Sequence, residues 1–174
     1  MLLCGAVFTQ NITNTLGTSG VFSVKDNTNT YLWLNQTSGT INLIDILAGN
    51  QRGSIFKGSN RFLHTYYGTG TTGQNTFLGL NAGNFTMGGT SIQGSYNTGV
   101  GFGSLTSLTT GRFNSAIGNA SLYFNTTGSN NSAFGYQVLY NNTGGSNNSA
   151  FGTGSLYSNV TGEKNSAFGN FSLN

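Results

Sequence analysis

Asn131-Ser132-Ala133-Phe134-Gly135 returns as Asn148-Ser149-Ala150-Phe151-Gly152 and again as Asn165-Ser166-Ala167-Phe168-Gly169. Two variants precede it, Asn97-Thr98-Gly99-Val100-Gly101 and Asn114-Ser115-Ala116-Ile117-Gly118. The five pentads start at 97, 114, 131, 148 and 165, each a constant seventeen positions after the last. A fixed period of this size marks a chain built from stacked, near-identical units.

Further columns share the period. Leu stands eight residues after each Asn, at Leu105, Leu122, Leu139, Leu156 and Leu173. Gly stands fourteen after it, at Gly111, Gly128, Gly145 and Gly162, and Tyr nine after it, at Tyr123, Tyr140 and Tyr157. The links, such as Asn125-Thr126-Thr127-Gly128, carry turn chemistry. No apolar face recurs at helical spacing. The pattern predicts an all-β fold, a parallel β-solenoid of 17-residue turns with two short strands and two corners each. Equivalent residues then stack about 4.8 Å apart, and the pentad asparagines form amide ladders. Gly at the fourteenth offset is expected to hold a corner with positive φ. Strand alternation divides the pentad into a bulky face carrying Phe134 and Phe151 and a bare face of Ala133, Gly135, Ala150 and Gly152. Hydrophobicity assigns the Phe face to a core shared with Leu139 and Leu156. The bare Ala/Gly face, which includes Ala116 and Gly118, is left for neighbouring chains, because so thin a core predicts self-association.

Upstream, Asn75-Thr76-Phe77-Leu78-Gly79 is a sixth copy. It stands one period plus five residues before Asn97, and the surplus falls around 87–93. Asn60-Arg61-Phe62-Leu63-His64 reads as a faint copy. The repeat region is therefore assigned to 58–174, and 1–57 to a small N-terminal β region that serves as a connector or assembly segment. Strand candidates there are 20–25, 30–35 and 40–47, separated by Asp26-Asn27 and Thr37-Ser38-Gly39, with Leu32, Trp33 and Leu34 seeding a core. Neither end finishes a unit, so the chain reads as a piece of a longer polypeptide.

Composition narrows the function. Charged residues make up 5%, Pro is absent, and the net charge is +3. Charge this dilute gives no basic stripe for nucleic acid. No stretch has the length and hydropathy to insert in a membrane as a helix. The lone Cys4 is either free or paired between chains.

The pentads and their Asn-Thr-Thr-Gly links resemble the head repeats of trimeric autotransporter adhesins. They are also similar to the Asn-Thr-Ala-Ile-Gly repeat fibres of phages and large viruses. The resemblance covers 58–174. It implies a left-handed parallel β-roll, a homotrimer, and work as an adhesive or receptor-binding fibre outside the cell or on a virion. The adhesin repeat is usually a few residues shorter than the repeat of this chain.

Little here suggests catalysis. The one His, His64, has no patterned Cys or carboxylate beside it. Asp26, Asp45 and Glu163 are scattered. Gly-x-Gly patterns such as Gly99-Val100-Gly101 have no helix after them to hold a phosphate. The repeat lacks the periodic Asp of calcium-binding solenoids. The expectation is a non-enzymatic module with no cofactor and no metal. The Tyr123, Tyr140, Tyr157 column is a candidate stripe for a carbohydrate or host receptor, and otherwise a cover over strand edges. Asn-x-Ser/Thr sequons, candidates for glycosylation, stand at Asn11, Asn35, Asn84, Asn119, Asn125, Asn130, Asn141, Asn147, Asn159 and Asn170. A second function class, an ice-binding or other surface-binding solenoid, wants a regular face of short polar side chains.

Overall fold

A computed structural model describes residues 21–25, 30–35, 40–42, 55–57, 60–66, 68 and 70–174. The chain divides into two compact units, Met1–Ile44 and Asp45–Asn174. In the first, β1 (Val21–Lys25), β2 (Thr30–Asn35) and β3 (Thr40–Asn42) form an antiparallel sheet in that order. Strands were expected at these places. The expected turns and the core around Trp33 lie outside the described side chains.

The second unit holds an eight-stranded sheet. β4 (Ile55–Lys57), β5 (Asn60–His64) and β6 (Thr76–Leu78) pair antiparallel. From β6 onward every pairing is parallel: β7 (Thr98–Val100), β8 (Ser115–Ile117), β9 (Ser132–Phe134), β10 (Ser149–Phe151) and β11 (Ser166–Phe168). Register is strict, with Ala116 opposite Ala133 and Ala133 opposite Ala150. This is the β-solenoid that the constant period implies. Each turn has one three-residue strand rather than two, and the rest is turn. Asn60–His64 is not a stacked copy, because it runs antiparallel to β6. It joins β4 in a hairpin on the first coil.

Asn lies at the centre of every coil. Asn131 is fully buried. Its Nδ2 donates to Asn114 Oδ1 at 3.2 Å and to the Gly145 carbonyl at 2.8 Å. Its backbone N–H donates to the same Asn114 Oδ1 at 3.0 Å. The pattern repeats from Asn97 to Asn148, and Asn165 bonds Asn148 likewise. At the first rung, Asn75 donates to the Tyr66 and Gly94 carbonyls. A second ladder climbs the far side of the coil, Asn159 to Asn142 to Asn125. The two meet at one atom: the Gly145 carbonyl accepts from Asn131 Nδ2 and from Asn142 Nδ2, at 2.8 and 2.9 Å.

That junction explains the Gly at the fourteenth offset, and corrects its expected role. None of Gly111, Gly128, Gly145 and Gly162 has positive φ. A Cβ on Gly145 would strike Asn142 Oδ1 and the Gly162 carbonyl. Glycine is needed there for close approach. Positive φ belongs instead to the pentad glycine, φ 131° at Gly118 and 137° at Gly135. The Leu column turns too: Leu122, Leu139 and Leu156 all have φ 51°. A left-handed conformation costs a non-glycine residue about 1–3 kcal/mol. Burial of each of these side chains offsets that cost.

The faces of the pentad are the reverse of the expectation. Ala116, Ala133 and Ala150 are fully buried, whereas Ile117 and Phe168 are exposed and Phe134 and Phe151 half-buried. With Asn pinned inside, period-two alternation sends Ser outward, Ala inward and Phe outward. The interior is too narrow for a ring at the Ala position in regular coils. Only the first coil places one there, Phe77, opposite Gly99 and against Gly83. Around Phe77 the hairpin, Tyr66 and the wider coil build an aromatic plug. His64 lies 4.8 Å from Phe77 and 4.3 Å from Phe85, centroid to centroid. The five extra residues of this coil lie where expected, between Gly88 and Gly94. They pair back through a parallel bridge from Ser91 to Thr71.

Leu139→Ala is expected to lower unfolding free energy by about 2–5 kcal/mol. Phe134→Ala should cost only about 1–2 kcal/mol, the worth of a half-exposed stacked ring. Chemical denaturation of both variants measures the difference, and equal losses would return Phe134 to the core.

Candidate binding surface

The outward faces of the coils form continuous columns, because strict register puts like residues above one another. On the sheet, Leu78, Val100, Ile117, Phe134, Phe151 and Phe168 are successive register partners. The last three rings stack with centroids 4.8 and 5.0 Å apart and planes within 5°. Beside them runs a hydroxyl column, Thr76, Thr98, Ser115, Ser132, Ser149 and Ser166. Together they make a long apolar stripe bordered by hydroxyls. Sequence reading missed it by placing Phe inside.

The Tyr column is a second stack, as its spacing predicted. Tyr123 and Tyr140 lie 5.3 Å apart, Tyr140 and Tyr157 5.2 Å. Phe124 packs edge-on against Tyr140 at 5.1 Å. Neighbouring rings cover both faces of Tyr140, so an incoming sugar meets ring edges and hydroxyls rather than an open face. Partial burial pushes the Tyr140 phenol above its ordinary pKa, and Tyr157, Tyr123 and Tyr136 add to the shift.

The alanines of the Ala/Gly stripe, Ala116, Ala133 and Ala150, are inside, and its glycines Gly118, Gly135 and Gly152 are half-buried. His64 is also enclosed. Its Nε2 lies 2.7 Å from the Ala82 carbonyl and its Nδ1 accepts from the Tyr66 N–H, an arrangement that suits the Nε2–H tautomer. Among the described residues no three His, Cys, Asp or Glu side chains gather to hold a metal, and no helix is long and apolar enough to cross a membrane. The sequons separate by position. Asn119, Asn130, Asn147 and Asn170 are exposed, and Asn84 and Asn141 half-buried. Asn125 is fully buried in the second ladder, and Asn159 is part of the same ladder. Asn11 and the side chain of Asn35 lie outside the described residues.

No protein-family model, curated protein or solved structure matches this chain.

For the Tyr stack the raised pKa has a sign. The neutral phenol's contribution to stability is complete below the ordinary tyrosine pKa near 10 and is lost as pH rises through the folded value. In an alkaline titration followed by tyrosinate absorbance, Tyr140→Phe should remove a late-ionising phenol. Unchanged late ionisation would show that another tyrosine carries it.

Proposed function

We propose that the chain is a non-enzymatic structural and adhesive module of an extracellular or virion-surface fibre, assembled from parallel copies of itself. The observation that carries this reading is the outward apolar stripe from Leu78 to Phe168, six register positions long and uniform in direction. Water-exposed stripes of this continuity are sites of association. A second copy of the chain is the occupant that fits best. Its own stripe has the same coil spacing, so parallel copies match at every step. A net charge of only +3 gives identical faces little repulsion to overcome.

Cyclic symmetry repeats one contact along all coils. The number three comes from the family resemblance; the stripe itself argues for more than one. In such an assembly the Tyr column and the links remain outside, available to a carbohydrate or a host receptor. A surface-binding solenoid, of the ice-binding kind, is the second reading, favoured by the regular hydroxyl column from Thr76 to Ser166.

Sedimentation in dilute native buffer is expected to show a trimer that Phe134→Ser with Phe151→Ser reduces to folded monomer. A folded monomer from the unaltered chain overturns the self-association. Thermal hysteresis from the unaltered chain would favour the second reading.

A further inference from the structure

We infer that the sequons among the described residues are of two kinds, and that the chain is built to fold where no N-glycan is added to it. This rests on the ladders and not on the fibre reading. Sequon recognition needs Asn and a Ser or Thr two residues on, so attachment is open to an unfolded chain regardless of where the Asn will end up.

The principal ladder escapes by its own geometry. Two residues after Asn75, Asn97, Asn114, Asn131, Asn148 and Asn165 comes the inward position of the strand, and a Phe, Gly or Ala stands there. No member of that ladder is therefore a sequon. The second ladder lacks this protection, because two residues after its Asn the chain is in an exposed link. Thr127 follows Asn125, Thr161 follows Asn159, and both threonines are exposed.

Glycan attachment replaces one Nδ2 hydrogen. At Asn125 the amide is fully buried, donating to the Gly128 carbonyl at 3.0 Å while Oδ1 accepts from Asn142 at 3.0 Å. At Asn159, Nδ2 spends both hydrogens, on Asn142 Oδ1 at 2.7 Å and on the Gly162 carbonyl at 3.1 Å. Asn125 has no space to give, and Asn159 has no hydrogen to give. A glycan on either prevents the coil from closing. Asn119, Asn130, Asn147 and Asn170 point outward and tolerate one. A chain whose internal ladder contains two acceptor sites suits synthesis in a bacterial or other non-glycosylating compartment.

The test compares the unaltered chain with Thr127→Ala plus Thr161→Ala, which removes both internal acceptors without touching either Asn. Both are made in bacterial cytosol, as a folding control, and through a glycosylating secretory pathway, with site occupancy read by mass spectrometry. From bacteria the two should fold alike. From the secretory pathway the double variant should give several-fold more folded protein. Molecules glycosylated at Asn125 or Asn159 should be found only in the unfolded, retained fraction. Folded protein carrying a glycan at Asn125 or Asn159 overturns the inference, as do equal secreted yields. Lower bacterial yield of the double variant is handled by Thr127→Ser and Thr161→Ser, which keep both sequons. If these serine variants match the unaltered chain in both hosts, any gain on going to Ala in the secretory host is assigned to the glycan.

Discussion

One buried amide, repeated in every coil, decides most of this structure. An interior Asn must satisfy two donors and an acceptor, since an unmet buried polar group costs about 1–3 kcal/mol. A single Asn inside an apolar core cannot do so. A stack of them can, because each Oδ1 accepts from the coil that follows and each Nδ2 gives one hydrogen to the coil before. The other hydrogen goes across the coil to a glycine carbonyl and holds the loop shut. One residue type therefore sets axial spacing, register and closure. A slip of one residue would turn every Asn outward and strand these groups.

The rest follows from that anchor. Asn inward makes Ala inward and Phe outward. The glycine that receives both ladders can carry no Cβ. The core that remains is an Ala column, a Leu column and two rows of amides. It has a narrow apolar part and an extensive polar one, which makes it strict in register and poor in buried apolar area. Large apolar groups are displaced to the sheet face, where register turns them into a continuous stripe. The same device that orders the interior thus writes the exterior as parallel columns of rings and hydroxyls.

The period, the parallel stacking, the Leu core and the tyrosine stack were legible in the sequence, because each depends only on recurrence at one constant step. The N-terminal strands were legible from alternation between turn residues. The facing of the pentad was not, since either phase of a two-residue alternation reads plausibly when Phe and Ala compete for one interior. The deciding signal was in view: Asn holds all six starts from Asn75 to Asn165, whereas the Phe134 position varies through Leu78, Val100 and Ile117. An invariant polar column beside a loosely apolar one marks the amide, not the ring, as the buried member. The second ladder was hidden by its brevity, three asparagines long with Leu108 in the place of a fourth. The antiparallel hairpin at Asn60–His64 was hidden because strand direction leaves no mark on a five-residue pattern.

Hydrogen exchange at the side-chain amides tests the ladder most directly. The Nδ2 protons of Asn114, Asn131 and Asn148, followed by NMR, are expected to exchange as slowly as the backbone amides of β8, β9 and β10, since both are released only when coils separate. Exchange of these side-chain protons at the rate of exposed asparagines such as Asn130 would contradict the account.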